Sequence, residues 1–125
     1  MKNIILGSVL AIAAVASLSA NAATVCSGSA AVDASQVPVG SFVKVAFTPK
    51  CSANVFMDGI DSTSTLYVVS AASAKGKRVF AGSTAGGSVA PVGTDCAASG
   101  CTAAEVTTAA TTAETAAGAG TGTGT

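Results

Sequence analysis

Between residues 25 and 92 the apolar side chains alternate with small or polar ones instead of recurring at helical spacing, and Val, Phe, Thr and Ser are the prominent types. A two-residue period puts successive side chains on opposite sides of an extended chain, so the pattern predicts a β domain. The plainest strand is expected over residues 42–48, with Val43, Val45 and Phe47 on one face and Lys44 and Ala46 on the other. Pro49 suits the second position of a turn through residues 48–51, where its fixed φ is already that of the turn. Residues 54–57 are then expected to return as the partner strand, with Asp58-Gly59 closing the unit. A second hairpin is expected from residues 65–71 and 78–82, joined around Ala74-Lys75-Gly76, with Tyr67 and Val69 alternating against Leu66 and Val68. Residues 83–87 read as a turn-rich break, and residues 88–92 as a short strand that Pro91, lacking a backbone N–H, confines to a sheet edge. The fold expected is mainly β, about five to seven short strands in a small disulfide-stapled antiparallel sandwich or open barrel.

Both ends depart from this alternation. Lys2 precedes an apolar run over residues 4–18, and Ala20-Asn21-Ala22 places small residues where a signal peptidase cuts. Residues 1–22 therefore read as a signal peptide cleaved after Ala22. A membrane helix needs about 20 apolar residues; this run is shorter, and no stable membrane span is expected once the leader is gone. Val25 is a bulky neighbour for a lipidated Cys26, and no acidic residue stands near Ile12 as a type IV prepilin leader would require. At the other end, residues 102–125 use only Ala, Thr, Gly, Val and Glu. Thr102-Ala103-Ala104-Glu105 fits a capping box that starts a helix ending before Gly118. Threonine lowers helix propensity, however, and Val106 is the one large apolar anchor. The expectation is a β domain over residues 23–101 followed by a disordered or weakly helical low-complexity tail.

Cysteine usage adds cross-links to this picture. Cys26, Cys51, Cys96 and Cys101 all lie beyond the leader, and an even count in an exported chain reads as two disulfides. The short Cys96-Ala-Ala-Ser-Gly-Cys101 loop favours local closure, which leaves Cys26 to pair with Cys51. A four-thiolate zinc site needs two close-set pairs and only one is present, at a wider spacing. No metal or other cofactor is expected. The cross-links matter because the core is thin: Ala accounts for 28 of the hydrophobic residues, and residues 23–101 hold 20 large apolar side chains. Closing a loop of about 25 residues contributes ~3 kcal/mol by restricting the unfolded chain.

Composition also limits the chemistry. The chain has no His, which removes the Ser/His/Asp and Cys/His nucleophile designs and every His-containing zinc site. Ser41-Phe42-Val43-Lys44 matches the S-x-x-K spelling of serine acyl-enzymes, but a strand separates Ser41 and Lys44 where a helix turn would bring them together. No catalytic residue is expected. Asp58, Asp61, Ser62 and Thr63 offer oxygens for part of a calcium shell, which wants six to eight; the same residue types suit a plain turn, the reading preferred here. Lys75, Lys77 and Arg78 gather three of the five positive charges beyond the leader beside Tyr67 and Phe80. Cations next to rings can hold an anionic group and stack on it, so Lys75, Lys77, Arg78 and Tyr67 form the candidate ligand site. Five positive against six negative charges beyond the leader argue against nucleic acid and leave an envelope glycan or lipid headgroup as the ligand class. The alternative is a solvated hairpin tip whose lysines block sheet-to-sheet pairing.

The leader, the stretch over residues 42–56 and the Ala/Thr/Gly tail together resemble small exported Ala/Gly/Thr-rich proteins of Gram-negative bacteria that carry no assigned function. The resemblance implies a periplasmic, cell-surface or extracellular location and brings no site with it. The function expected is that of a non-enzymatic structural or cell-surface protein, one form of which is a self-assembling subunit giving a homo-oligomer or filament. Its motive is a strand at residues 42–47 with Lys44 as its single charge, since such edges pair with another chain unless covered. The second reading is a periplasmic or extracellular binding module acting through Lys75, Lys77, Arg78 and Tyr67.

Overall fold

The computed structural model describes residues 21–29 and 35–119. The leader expected at the start of the chain lies outside them up to residue 20. Among the described residues five strands, β1 (Asn21–Ser27), β2 (Val55–Asp61), β3 (Tyr67–Ser73), β4 (Val79–Ser83) and β5 (Ala90–Val92), precede one helix, α1 (Ala103–Ala119). They form a single antiparallel sheet in the order β1-β2-β3-β4-β5. The mainly β character, the β3–β4 hairpin and the edge position of the Pro91 strand are as the alternation predicts. The sandwich or barrel is not: the sheet is open, α1 covers one face, and the connection between β1 and β2 crosses part of the other.

Alternation decides which side chains meet the helix. Ile60, Val68, Ala72, Val79 and Ala81 point towards it and are buried, Val68 completely. From α1, Val106, Ala109 and Ala110 meet them, continued by the half-buried Ala113 and Ala117. The spacing puts all five on one helix face. The tail expected to fray is thus a docked layer of the domain over Ala103–Ala119. The scarcity of large side chains is no obstacle, because Ala loses no rotamer freedom when buried and its small volume lets the helix lie close to the valines. Threonine is accommodated on the outer face, where the hydroxyls of Thr108, Thr111, Thr112 and Thr115 each donate to the carbonyl four residues back. The capping box forms as expected: Thr102 N–H donates to Glu105 Oε2 at 2.7 Å, and Glu105 N–H donates to Thr102 Oγ1 at 3.3 Å.

Both expected disulfides are present. Cys26–Cys51 ties the β1–β2 connection to β1, and Cys96–Cys101 joins the segment after β5 to the start of α1. The second loop needs Gly100 at φ 114°, a left-handed value where a Cβ would also collide with the Ala74 carbonyl.

Two local expectations fail. Residues 42–48 make no strand; one isolated bridge joins Phe47 to Val37, and Val43 is buried while Val45 and Phe47 are exposed. The N–H groups of Phe42 and Val43 donate instead to the two carboxylate oxygens of Asp61, both at 2.8 Å. A buried carboxylate has taken the donors that a ladder would use. Asp58-Gly59 is likewise no turn. It sits inside β2, paired with Ser70 and Val69 of β3, and the missing Cβ at Gly59 makes room for the Tyr67 hydroxyl lying across the strand.

Candidate functional site

The face of the sheet turned away from α1 holds the least satisfied surface of the domain. Val25, Cys26, Val37 and Val43 form a small buried cluster there, with Cys51, Met57 and Tyr67 packed against it. Cover stops at Tyr67, whose ring lies 5.8 Å from that of Phe42. Beyond it Val69 on β3 and Phe80 on β4 are 37% and 46% exposed, flanked by Val89 at 70% and by Phe47 of the connection at 50%.

These residues frame two adjoining cavities. One, of about 290 Å³, lies over β3 and β4 between Tyr67, Val69, Phe80 and Val89. The other, of about 170 Å³, lies under the connection between Val37, Phe47, Pro49 and Met57. Tyr67 and Val69 line both, so they form one apolar trough. Among the described lining residues Asp58 alone carries a charge, and its carboxylate accepts from Thr107 on the opposite, helix-covered side. The Tyr67 phenol is the polar end of the trough. Burial holds its pKa above the ordinary value, and the nearby Asp61 carboxylate raises it further.

The candidate ligand residues do not assemble. Tyr67 opens β3, whereas Lys75, Lys77 and Arg78 follow its far end. The strand from Tyr67 to Ser73 alone spans on the order of 20 Å at ~3.3 Å per residue, and Lys75 lies in the turn beyond it. Arg78 pairs with Asp95 at 2.6 Å, and the Lys77 carbonyl accepts from Cys96 N–H. The cations thus belong to the end of the domain that carries the second disulfide.

The other candidates are placed as plainly. Lys44 Nζ donates to the Ser41 backbone carbonyl. Asp58 and Asp61 point to opposite faces of β2 and share no space for a cation. A further cavity of about 240 Å³ lies between α1 and the sheet edge, floored by Val79, Val92 and Ala109, with Glu105 at its rim. Glu105 is already held by the cap.

What the sequence reading missed is the trough. Its signal was present in Leu66-Tyr67-Val68-Val69, a run apolar on both faces, which calls for a cover on each side of the sheet. One cover is α1; the other is incomplete. Comparison with known proteins gives no match to a family model, to a curated protein or to a solved structure.

Proposed function

We propose that this chain is an exported, non-enzymatic structural or cell-surface protein that works by contact, through the uncovered half of its sheet. The observation that carries the reading is the apolar trough between Phe47, Val69, Phe80 and Val89, a surface whose exposure to water costs free energy unless something covers it. Two disulfides with no free cysteine among the described residues suit an oxidising compartment. The spelling of residues 1–22 supports export.

The alternative, a binding module for an anionic glycan or lipid headgroup, keeps two exposed lysines, Lys75 and Lys77, as its support. It loses Tyr67 by distance, and Arg78 to its ion pair.

Cell fractionation with an antibody against the folded domain tests the main reading. The protein is expected in the envelope or medium, shortened by its leader and with no thiol accessible before reduction. Recovery from the cytosol at full length with reduced cysteines would sink it.

A further inference from the structure

The trough is the strongest feature that the domain leaves without a partner, and its shape and chemistry narrow what can fill it. Pairing through a strand edge, the route suggested by residues 42–47, has no ladder to extend because that segment is not a strand. The true edges are blunted: β5 is three residues long and contains Pro91, and the Val25 carbonyl of β1 already accepts from Ser35 N–H. The face remains. It carries protrusions and hollows together, since the part-exposed Phe80 ring and Val89 stand beside cavities of about 290 and 170 Å³. A surface holding both knob and hole satisfies itself across a twofold axis. Among the described residues Asp58 is the one charged residue that lines it, and its carboxylate is engaged by Thr107 on the helix side, so no described charge selects a foreign partner or repels an identical one.

Area gives the same answer. Phe42, Phe47, Val69, Phe80 and Val89 leave on the order of 400 Å² of side chain open on this face, and Tyr67, Ala71 and Met57 beside them are only half-buried. A stable dimer buries ~800 Å² per partner, about 65% of it apolar when the copies are identical. The trough alone supplies about half of that area, close to the apolar share of roughly 500 Å² per partner, and the polar rim around it supplies the remainder.

We propose that the occupant is a second copy of this chain: two molecules pack their open faces together about a twofold axis, each seating Phe80 and Val89 in the other's trough. The sandwich absent from one chain is then completed by two, with sheets ~10 Å apart and a helix on each outer side. This rests on the contact function proposed above and specifies its partner.

Sedimentation velocity of the exported form, both disulfides intact, tests it over a wide concentration range. The mass is expected to double as concentration rises. Phe80→Asp should weaken association by ~30-fold or more, as the loss of a central interface side chain does, and Val89→Asp, at a more exposed position, keeps the test independent of any folding defect in the first variant. Thr111→Asp, on the outer face of α1, should leave association unchanged. A chain that stays monomeric at every concentration, or a dimer indifferent to both Phe80→Asp and Val89→Asp, would overturn the proposal. If that monomer still joins the envelope fraction in a Val89-dependent way, the second copy falls while the contact function stands. A cytosolic, reduced protein that nevertheless dimerises through Phe80 would leave the face assignment standing and remove the exported role.

Discussion

Thr107, at the margin where α1 meets the sheet, donates its hydroxyl to the carboxylate of Asp58, a buried acid in the middle of β2. The helix is therefore held to the sheet by polar contacts as well as by alanine packing, because on the same side the Ser70 hydroxyl donates to the Val106 carbonyl at 2.8 Å. Both contacts span more than thirty residues of chain. They fix how α1 lies along the strands, which a stripe of identical methyl groups does not do alone.

Replacing Thr107 by Val keeps the volume and removes the donor. Leaving a buried carboxylate without it costs ~1–3 kcal/mol. The variant should unfold at correspondingly lower urea concentration, whereas the double change Thr107→Val with Asp58→Leu should recover part of the loss, since no charge is then left stranded. A single variant as stable as the wild type would show that the contact contributes nothing.

Loss of α1 uncovers Ile60, Val68, Ala72 and Val79 at once. A chain ending at Cys101 should fail to give a cooperative melt, because the surface exposed is large against a net stability of ~5–15 kcal/mol. The milder Val106→Ala should cost ~1–3 kcal/mol, lowering the melting temperature by several degrees. A truncated chain melting within ~8 °C of the full one would show that the helix is not needed.

Asp61 anchors the β1–β2 connection through the Phe42 and Val43 amides. Asp61→Ala should cost about 2–4 kcal/mol, as charge-assisted bonds in buried surroundings do, and should release the connection locally. Amide exchange is the direct measurement: Phe42 and Val43 should lose protection while Val68 in β3 keeps it. Unchanged protection at Phe42 and Val43 would count against the anchor.

Tyr67 is the chain's single tyrosine and there is no tryptophan, so phenolate absorbance reports it without overlap. Its folded pKa is raised, first by burial and then by Asp61. The contribution of the neutral phenol to stability is therefore complete below the unfolded value of about 10 and is lost as the pH climbs through the higher folded one. Alkaline titration should give a midpoint above that of a tyrosine peptide. Asp61→Asn should bring it down only in part, because burial is the larger cause. A midpoint at or below the peptide value would refute the placement of the ring.

Features that depend on neighbours along the chain are legible in the residue order. The β3–β4 hairpin follows from alternation and a glycine-containing turn, the edge place of β5 from the missing N–H of Pro91, the start of α1 from Thr102 and Glu105, and the disulfide pairing from one short loop and the two cysteines left over. Features that depend on partners distant in the chain are settled by packing. Residues 42–48 alternate as a strand does, yet Asp61, eighteen residues beyond Val43, captures their donors. Asp58-Gly59 spells a turn, yet Tyr67 lies over the glycine and Thr107 binds the acid. Residues 103–119 carry too little large apolar surface to hold themselves, and they form a docked helix because the sheet offers valines for their alanines to meet. The trough belongs to the same class: Val69, Phe80, Val89 and Phe47 are unremarkable along the chain, and they become a surface because the β1–β2 connection covers only part of the face on which alternation puts them.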